Sequence, residues 1–116
     1  MEVNILGERY EVVIETEDVN PKLKDADGIC EIYSKKLILD LSYTKDPDCY
    51  DNITEYVHKV LRHEAFHAFF AEMGIKEWFQ DEELVDMLAM QYPKIRKVMD
   101  ECDNLKLEGV DASKEG

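Results

Sequence analysis

Basic residues are scarce in this sequence. Its 116 residues hold 14 Lys and Arg against 27 Asp and Glu, a formal net charge of −13. Such a surface repels phosphate backbones and anionic lipid headgroups, which argues against direct nucleic-acid binding and against attachment to a membrane. Long apolar runs are missing as well, and none approaches the ~20 residues that span a bilayer. The opening Met1-Glu2-Val3-Asn4 has neither the basic nor the apolar region of a secretory leader, so a cytoplasmic protein is expected. Cysteine is limited to Cys30, Cys49 and Cys102, an odd number with no Cys-x-x-Cys pair. That excludes a disulfide framework and fits free thiols in a reducing compartment. What is present is 45% apolar and 35% charged, the balance of a chain that folds on its own, and the length leaves room for one core.

The first half has strand patterning. Residues 2–6 and 10–16 alternate loosely between β-branched or aromatic and polar side chains, and Gly7-Glu8-Arg9 between them offers a tight turn, so a hairpin is expected. Residues 17–27 are acidic, contain Asn20-Pro21 and end before Gly28, which predicts a surface excursion. Residues 28–33 and 35–42 read as a second pair of strands.

The second half is helical. Asn52 and Glu55 form a capping box, and Tyr56, Val57, Val60, Leu61, Ala65, Ala68 and Ala71 recur at helical spacing, predicting a helix over 53–73 that Gly74 closes. A second pattern covers 81–92, where Pro93 predicts a break before a short third helix over 94–102. Residues 103–116 are polar and read as a frayed tail to a single domain over 1–102.

Inside the first predicted helix lies His63-Glu64-Ala65-Phe66-His67. Positions four apart stack on one helical face, so both imidazoles can reach one cation, and Glu64 sits beside them to take a proton from water. Neutral imidazoles suit Zn²⁺, which makes the motif a hydrolytic site in outline. The plainer reading, two ordinary core or surface histidines, has to place two of three histidines and a Glu together by accident. His58 falls on another side of the helix and is expected in solvent.

A catalytic zinc needs a third protein ligand and an open position. Phe70 and Met73 stand where a metzincin would have Gly and His, so an acidic ligand is expected. The downstream choices are Glu72, Glu77, Asp81, Glu82, Glu83 and Asp86. Glu82, Asp86, Ala89 and Pro93 share a stripe beside the apolar Val85 and Leu88, so Glu82 is preferred to Glu83, which lies with Met87 and Lys94. Asp86, one turn after Glu82, can accept the outer N–H of a ligating histidine, and small Ala89 allows close helix approach.

His63-Glu64-x-x-His67 followed by Glu82-x-x-Val85-Asp86-x-Leu88-Ala89 resembles the gluzincins, and the short spacing is similar to the minigluzincins and the ImmA/IrrE-like metallopeptidases. Gly28-Ile29-Cys30-Glu31, the HExxH segment and Gln91-Tyr92-Pro93-Lys94-Ile95 look like small metallopeptidases encoded by phages and prophages of Gram-positive bacteria, a resemblance over most of the chain. It implies an α+β, zincin-like domain. In that domain a three- to four-stranded, mostly antiparallel sheet packs on the HExxH helix, followed by a second, ligand-bearing helix and a short C-terminal helix. It implies a zinc endopeptidase of cytosolic protein or peptide substrates, with His63, His67 and Glu82 as ligands, Asp86 behind them and Glu64 as base. The strand over 36–41 would then be the sheet edge along which an extended peptide lies.

No His or Tyr is assigned to stabilise the tetrahedral intermediate; Tyr33, Tyr43 and Tyr92 stay open. The alternative function is a non-catalytic metal protein in which the same ligands staple sheet to helices, with Cys30 available to close the fourth position. A third class, an acidic module that mimics nucleic acid, follows from the net charge alone. Nothing in the pattern sets an oligomeric state.

Overall fold

The computed structural model describes residues 1–107. The chain enters as a hairpin, β1 (Glu2–Ile5) antiparallel to β2 (Glu8–Ile14), with Ile5 opposite Glu8. That register leaves a two-residue loop, Leu6-Gly7, with φ of 51° and 91°, the left-handed pair whose twist matches the strands it joins. The side chain of Asn4 accepts the Gly7 N–H at 2.8 Å and holds the turn. The turn is therefore tighter than Gly7-Glu8-Arg9 predicts, because Glu8 and Arg9 already pair within β2.

The expected surface excursion is in part an anchor. Asn20 caps a 3-10 turn, Pro21–Leu23, by accepting the Lys22 N–H at 3.1 Å, and Leu23 is buried to 2% exposure next to the following strand. Then β3 (Gly28–Glu31) turns back antiparallel into β4 (Lys36–Leu39), which lies parallel to β2, so the sheet order is β1-β2-β4-β3. Two of its three pairings are antiparallel and the sheet is mixed. The strand over 36–41 is not the edge. Leu37, Ile38 and Leu39 are all buried, and successive residues point to opposite faces, so this strand needs cover on both faces and a neighbour on either side. Half-buried β3 takes the edge instead.

α1 (Ile53–Met73) starts and stops where expected. Asn52 accepts the Glu55 N–H at 3.2 Å, and Gly74, at φ 77°, ends the helix with its N–H on the carbonyls of Phe70 and Ala71. Only half of the capping box forms, since the Glu55 carboxylate turns to Arg62 at 2.8 Å. Ala68 sits at the contact between α1 and the sheet face that carries Ile5, Tyr10 and Leu37, with Cys30, Leu61, Ala65 and Phe69 packed around them. Each fully buried side chain of this size contributes roughly 1.5–3 kcal/mol. The Tyr10 hydroxyl donates to Glu72 at 2.7 Å, and Lys35 pairs with the same carboxylate at 2.5 Å, which ties the end of α1 to the sheet.

A four-residue helix that the periodicity does not predict, α2 (Lys76–Phe79), turns the chain back, its Trp78 edge-on to Phe70 at 5.6 Å. α3 (Glu82–Cys102) then runs unbroken through Pro93, so the expected short third helix is the second half of one long helix. Proline removes the N–H that would bond the carbonyl four residues back, here that of fully buried Ala89. Arg62, reaching across from α1, donates its Nε–H to that carbonyl at 2.9 Å. Arg62→Met should therefore cost about 1–3 kcal/mol in denaturant unfolding, the penalty of an orphaned buried acceptor. The loss should shrink in a Pro93→Ala background, where the restored N–H takes the carbonyl; an equal loss in both backgrounds would refute this account.

Candidate metal centre and cleft

Lys59, His63 and His67 follow one another at intervals of one helical turn, on the side of α1 that meets α3. The Nε2 atoms of His63 and His67 lie 3.2 Å apart. Their outer nitrogens are each engaged. The Nδ1 of His67 is 2.7 Å from the carbonyl oxygen of Phe79, which can only accept, so that nitrogen carries the proton. The Nδ1 of His63 is 3.1 Å from Asp86 Oδ1. A Lys59 ammonium 2.5 Å from that same oxygen, helped by the His63 contact, holds the Asp86 carboxyl below its usual range and hence ionised. Burial pushes the His67 imidazole down, against the pull of Glu82, which keeps it neutral near pH 7. In the neutral tautomer that each of these contacts favours, the Nε2 lone pair faces the other ring.

Glu82 enters from the first turn of α3. Asp81 caps that helix by accepting the Leu84 N–H at 2.9 Å, and one turn of register places the Glu82 carboxylate against both rings, 2.9 Å from each Nε2. Two ring nitrogens and the two oxygens of one carboxylate converge, and each of these atoms can accept. One proton satisfies only one pair, and protonating both imidazoles would set two N–H groups 3.2 Å apart. Tetrahedral ligands held at ~2.0–2.1 Å from a small divalent cation lie roughly 3.3 Å from one another. The donor set fits such an ion, and His63, His67 and Glu82 can hold a metal.

Glu64 stands beside this cluster and is 7% exposed. Burial pushes its carboxyl up to about 7; His63 opposes the rise and Glu82 adds to it. The backbone of β3 passes close over it, because Gly28 has no side chain: a Cβ there would meet Val60 Cγ1 at 3.1 Å and Glu64 Oε2 at 3.2 Å. Glu64, His63, His67 and Glu82 face an open cleft of about 530 Å³ whose opposite wall is β3, with Phe79 and Gln80 at one end. In that strand Asp27 bonds to Asp40 across the ladder at 3.0 Å, so residues 27, 29 and 31 turn inward to β4 and Gly28 and Cys30 present their N–H and C=O to the open edge.

The other acidic choices are elsewhere. Glu72 is held by Tyr10 and Lys35, Glu77 and Glu83 are exposed, and Asp81 is the helix cap. His58 is exposed as expected. Cys30 lines the cleft, but its thiol, pushed up to about 12 by burial and by Glu64, packs in the core and is not among the converging donors. None of the three open tyrosines lines the cleft. Tyr33 is 95% exposed, Tyr43 packs edge-on to Tyr56 at 5.4 Å, and Tyr92 lies against Phe66 at 6.4 Å. Four contributors escape the periodicity analysis: Lys59, Gly28, Gln80 and the Phe79 carbonyl. Lys59 left a signal, one turn before His63, and Gly28 stood only in the resemblance carried by Gly28-Ile29-Cys30-Glu31.

Because Asp86 fixes the tautomer of His63, Asp86→Ala should weaken metal binding by about 10–100-fold in a chelator competition titration. An unchanged affinity would show that His63 needs no such support. No helix of the described residues is long and apolar enough to cross a membrane. Compared with known protein families, with curated proteins and with solved structures, the chain matches none.

Proposed function

We propose that this chain is a small zinc-dependent endopeptidase with a zincin-like domain of the gluzincin type. The observation that carries the reading is the meeting of His63, His67 and Glu82 beside Glu64, in a cleft walled by an open strand edge. Two imidazoles and one carboxylate are a donor set that suits zinc. When bound, the cation supplies Lewis acidity, making water acidic near pH 7 and polarising a peptide carbonyl. Glu64 would take the proton from that water and pass it to the departing amine. The free N–H and C=O of Gly28 and Cys30 would bind a protein substrate as an added strand, and the missing side chain at Gly28 lets β3 itself lie close to Glu64. A zinc staple without catalysis is the weaker reading, since Cys30 stays outside the donor group that a closed site would need.

Elemental analysis of the purified protein should give one zinc per chain. An unfolded protein substrate should be cleaved, with activity lost to a chelator and restored by zinc. A chain that holds zinc yet cleaves no unfolded substrate would sink the enzymatic reading, and one that takes up no metal would sink both.

A further inference from the structure

Past Gly28 the cleft continues toward a pocket of about 330 Å³ at the start of α1, and Asp27 and Tyr56 belong to both. The pocket walls carry three rings, Tyr43, Tyr50 and Tyr56, and three carboxylates, Asp27, Asp46 and Asp48, with no basic side chain among the described residues. Tyr56 meets Tyr43 edge-on and Tyr50 at 4.5 Å, and Tyr50 stays 63% exposed. The Tyr56 hydroxyl donates to Asp27 and the Asp48 N–H to Asp46 at 2.8 Å, which leaves the second oxygen of both acceptors without a partner among the described residues. Apart from the carboxylates, the Tyr43 hydroxyl oxygen is buried with no hydrogen-bond partner among the described residues, a state that a donor arriving in the pocket relieves. Burial, with Asp27 and Asp40, pushes that phenol up to about 12, so it stays a neutral hydroxyl in a region of negative potential. A bare metal ion does not fit these groups: among the described residues only His63, His67 and Glu82 bring their ligand atoms within 4.8 Å of one another. A larger, flat cation does. A guanidinium spreads its charge over a plane, stacks on tyrosine faces and offers five N–H donors.

We propose that this pocket is a specificity subsite that takes an arginine side chain of the protein substrate. The assignment rests on the cleft's being the peptide-binding site proposed above. Tyr56 and His63 lie two turns apart on one face of α1, so the pocket stands roughly 10 Å from the donor cluster. A substrate strand laid along β3 rises ~3.3 Å per residue, which places the arginine about three residues from the bond that is cut. Its guanidinium stacks on the tyrosine rings, its N–H groups reach the open oxygens of Asp27 and Asp46, and its charge offsets carboxylates that this chain leaves without a cation in the pocket. Lysine, a point charge without the flat face, fits less well.

Binding is read first, without catalysis. N-acetylarginine amide titrated into the full chain should give saturable amide NMR shifts at Asp46, Asp48, Tyr50 and Tyr56. N-acetylcitrulline amide, of the same shape without the charge, should bind about tenfold more weakly. The Tyr50→Ala/Asp48→Asn variant, altered at two exposed side chains, should lose the shifts and keep the wild-type circular dichroism spectrum. No saturable shift with the arginine probe, equal binding of the two probes, or equal binding by variant and wild type overturns the assignment. Cleavage is read second. Fragments of an unfolded protein should carry arginine about three residues from the cut bonds, and a peptide with citrulline in that place should show a KM about tenfold higher. The double variant should no longer tell the two peptides apart. Cleavage without this arginine preference overturns the subsite and leaves the peptidase reading standing. Arginine binding in a chain that cleaves no substrate removes the peptidase reading, and the pocket keeps its ligand.

Discussion

Glu64→Gln should lower the rate of peptide cleavage by about 10²–10⁴-fold while leaving zinc stoichiometry unchanged, the range contributed by a positioned general base. The two effects separate because Glu64 is not among the converging donor atoms. Gln matches Glu in size and fills the same space under Gly28, but it cannot take a proton from water. The fold should tolerate the change well. Burial already disfavours the charged form of Glu64, and a neutral amide removes that cost, so a lost activity cannot be put down to unfolding. Cleavage by the variant at the wild-type rate would eliminate Glu64 as base, whatever the metal content.

The second large effect is on metal binding. Glu82→Ala should weaken zinc affinity by more than the ~100-fold upper range seen for partners one step removed from the ion. Its neighbour provides the control, since Glu83→Ala removes an equally acidic residue from the same helical turn and should change affinity little. The Glu82 side chain is 70% exposed, so truncation opens no cavity and the unfolding midpoint of the metal-free protein should hardly move. Equal zinc binding by Glu82→Ala and wild type would mean that the third ligand has been misidentified.

The donor cluster was largely legible because it is built from helical periodicity. His63 and His67 are one turn apart on α1, Glu82 and Asp86 one turn apart on α3, and each pair needs only the local geometry of its own helix. Asn52 and Gly74 mark the ends of α1 for the same reason. The stripe carrying Val85 and Ala89 also separated Glu82 from Glu83, since burying the stripe turns one carboxylate toward α1 and leaves the other in solvent. Illegible from the sequence were the contacts that close between distant segments. The Phe79 carbonyl at His67 is one of these, a backbone atom that no residue type announces.

What the sequence determined alone, then, is the strands, α1 with both of its ends, and the residues that share a face within a helix, because caps, turns and side-chain periodicity act over a few residues. The tertiary structure decided which strand became the edge, since burial of β4 on both faces drew it inward and left β3 along the cleft. It also decided that α3 would outlast Pro93, since the donor that proline removes is replaced by Arg62, 27 positions before the Ala89 carbonyl that it serves. Both outcomes turn on satisfying buried surface and buried acceptors with partners far along the chain, and such partners are chosen only when the elements pack.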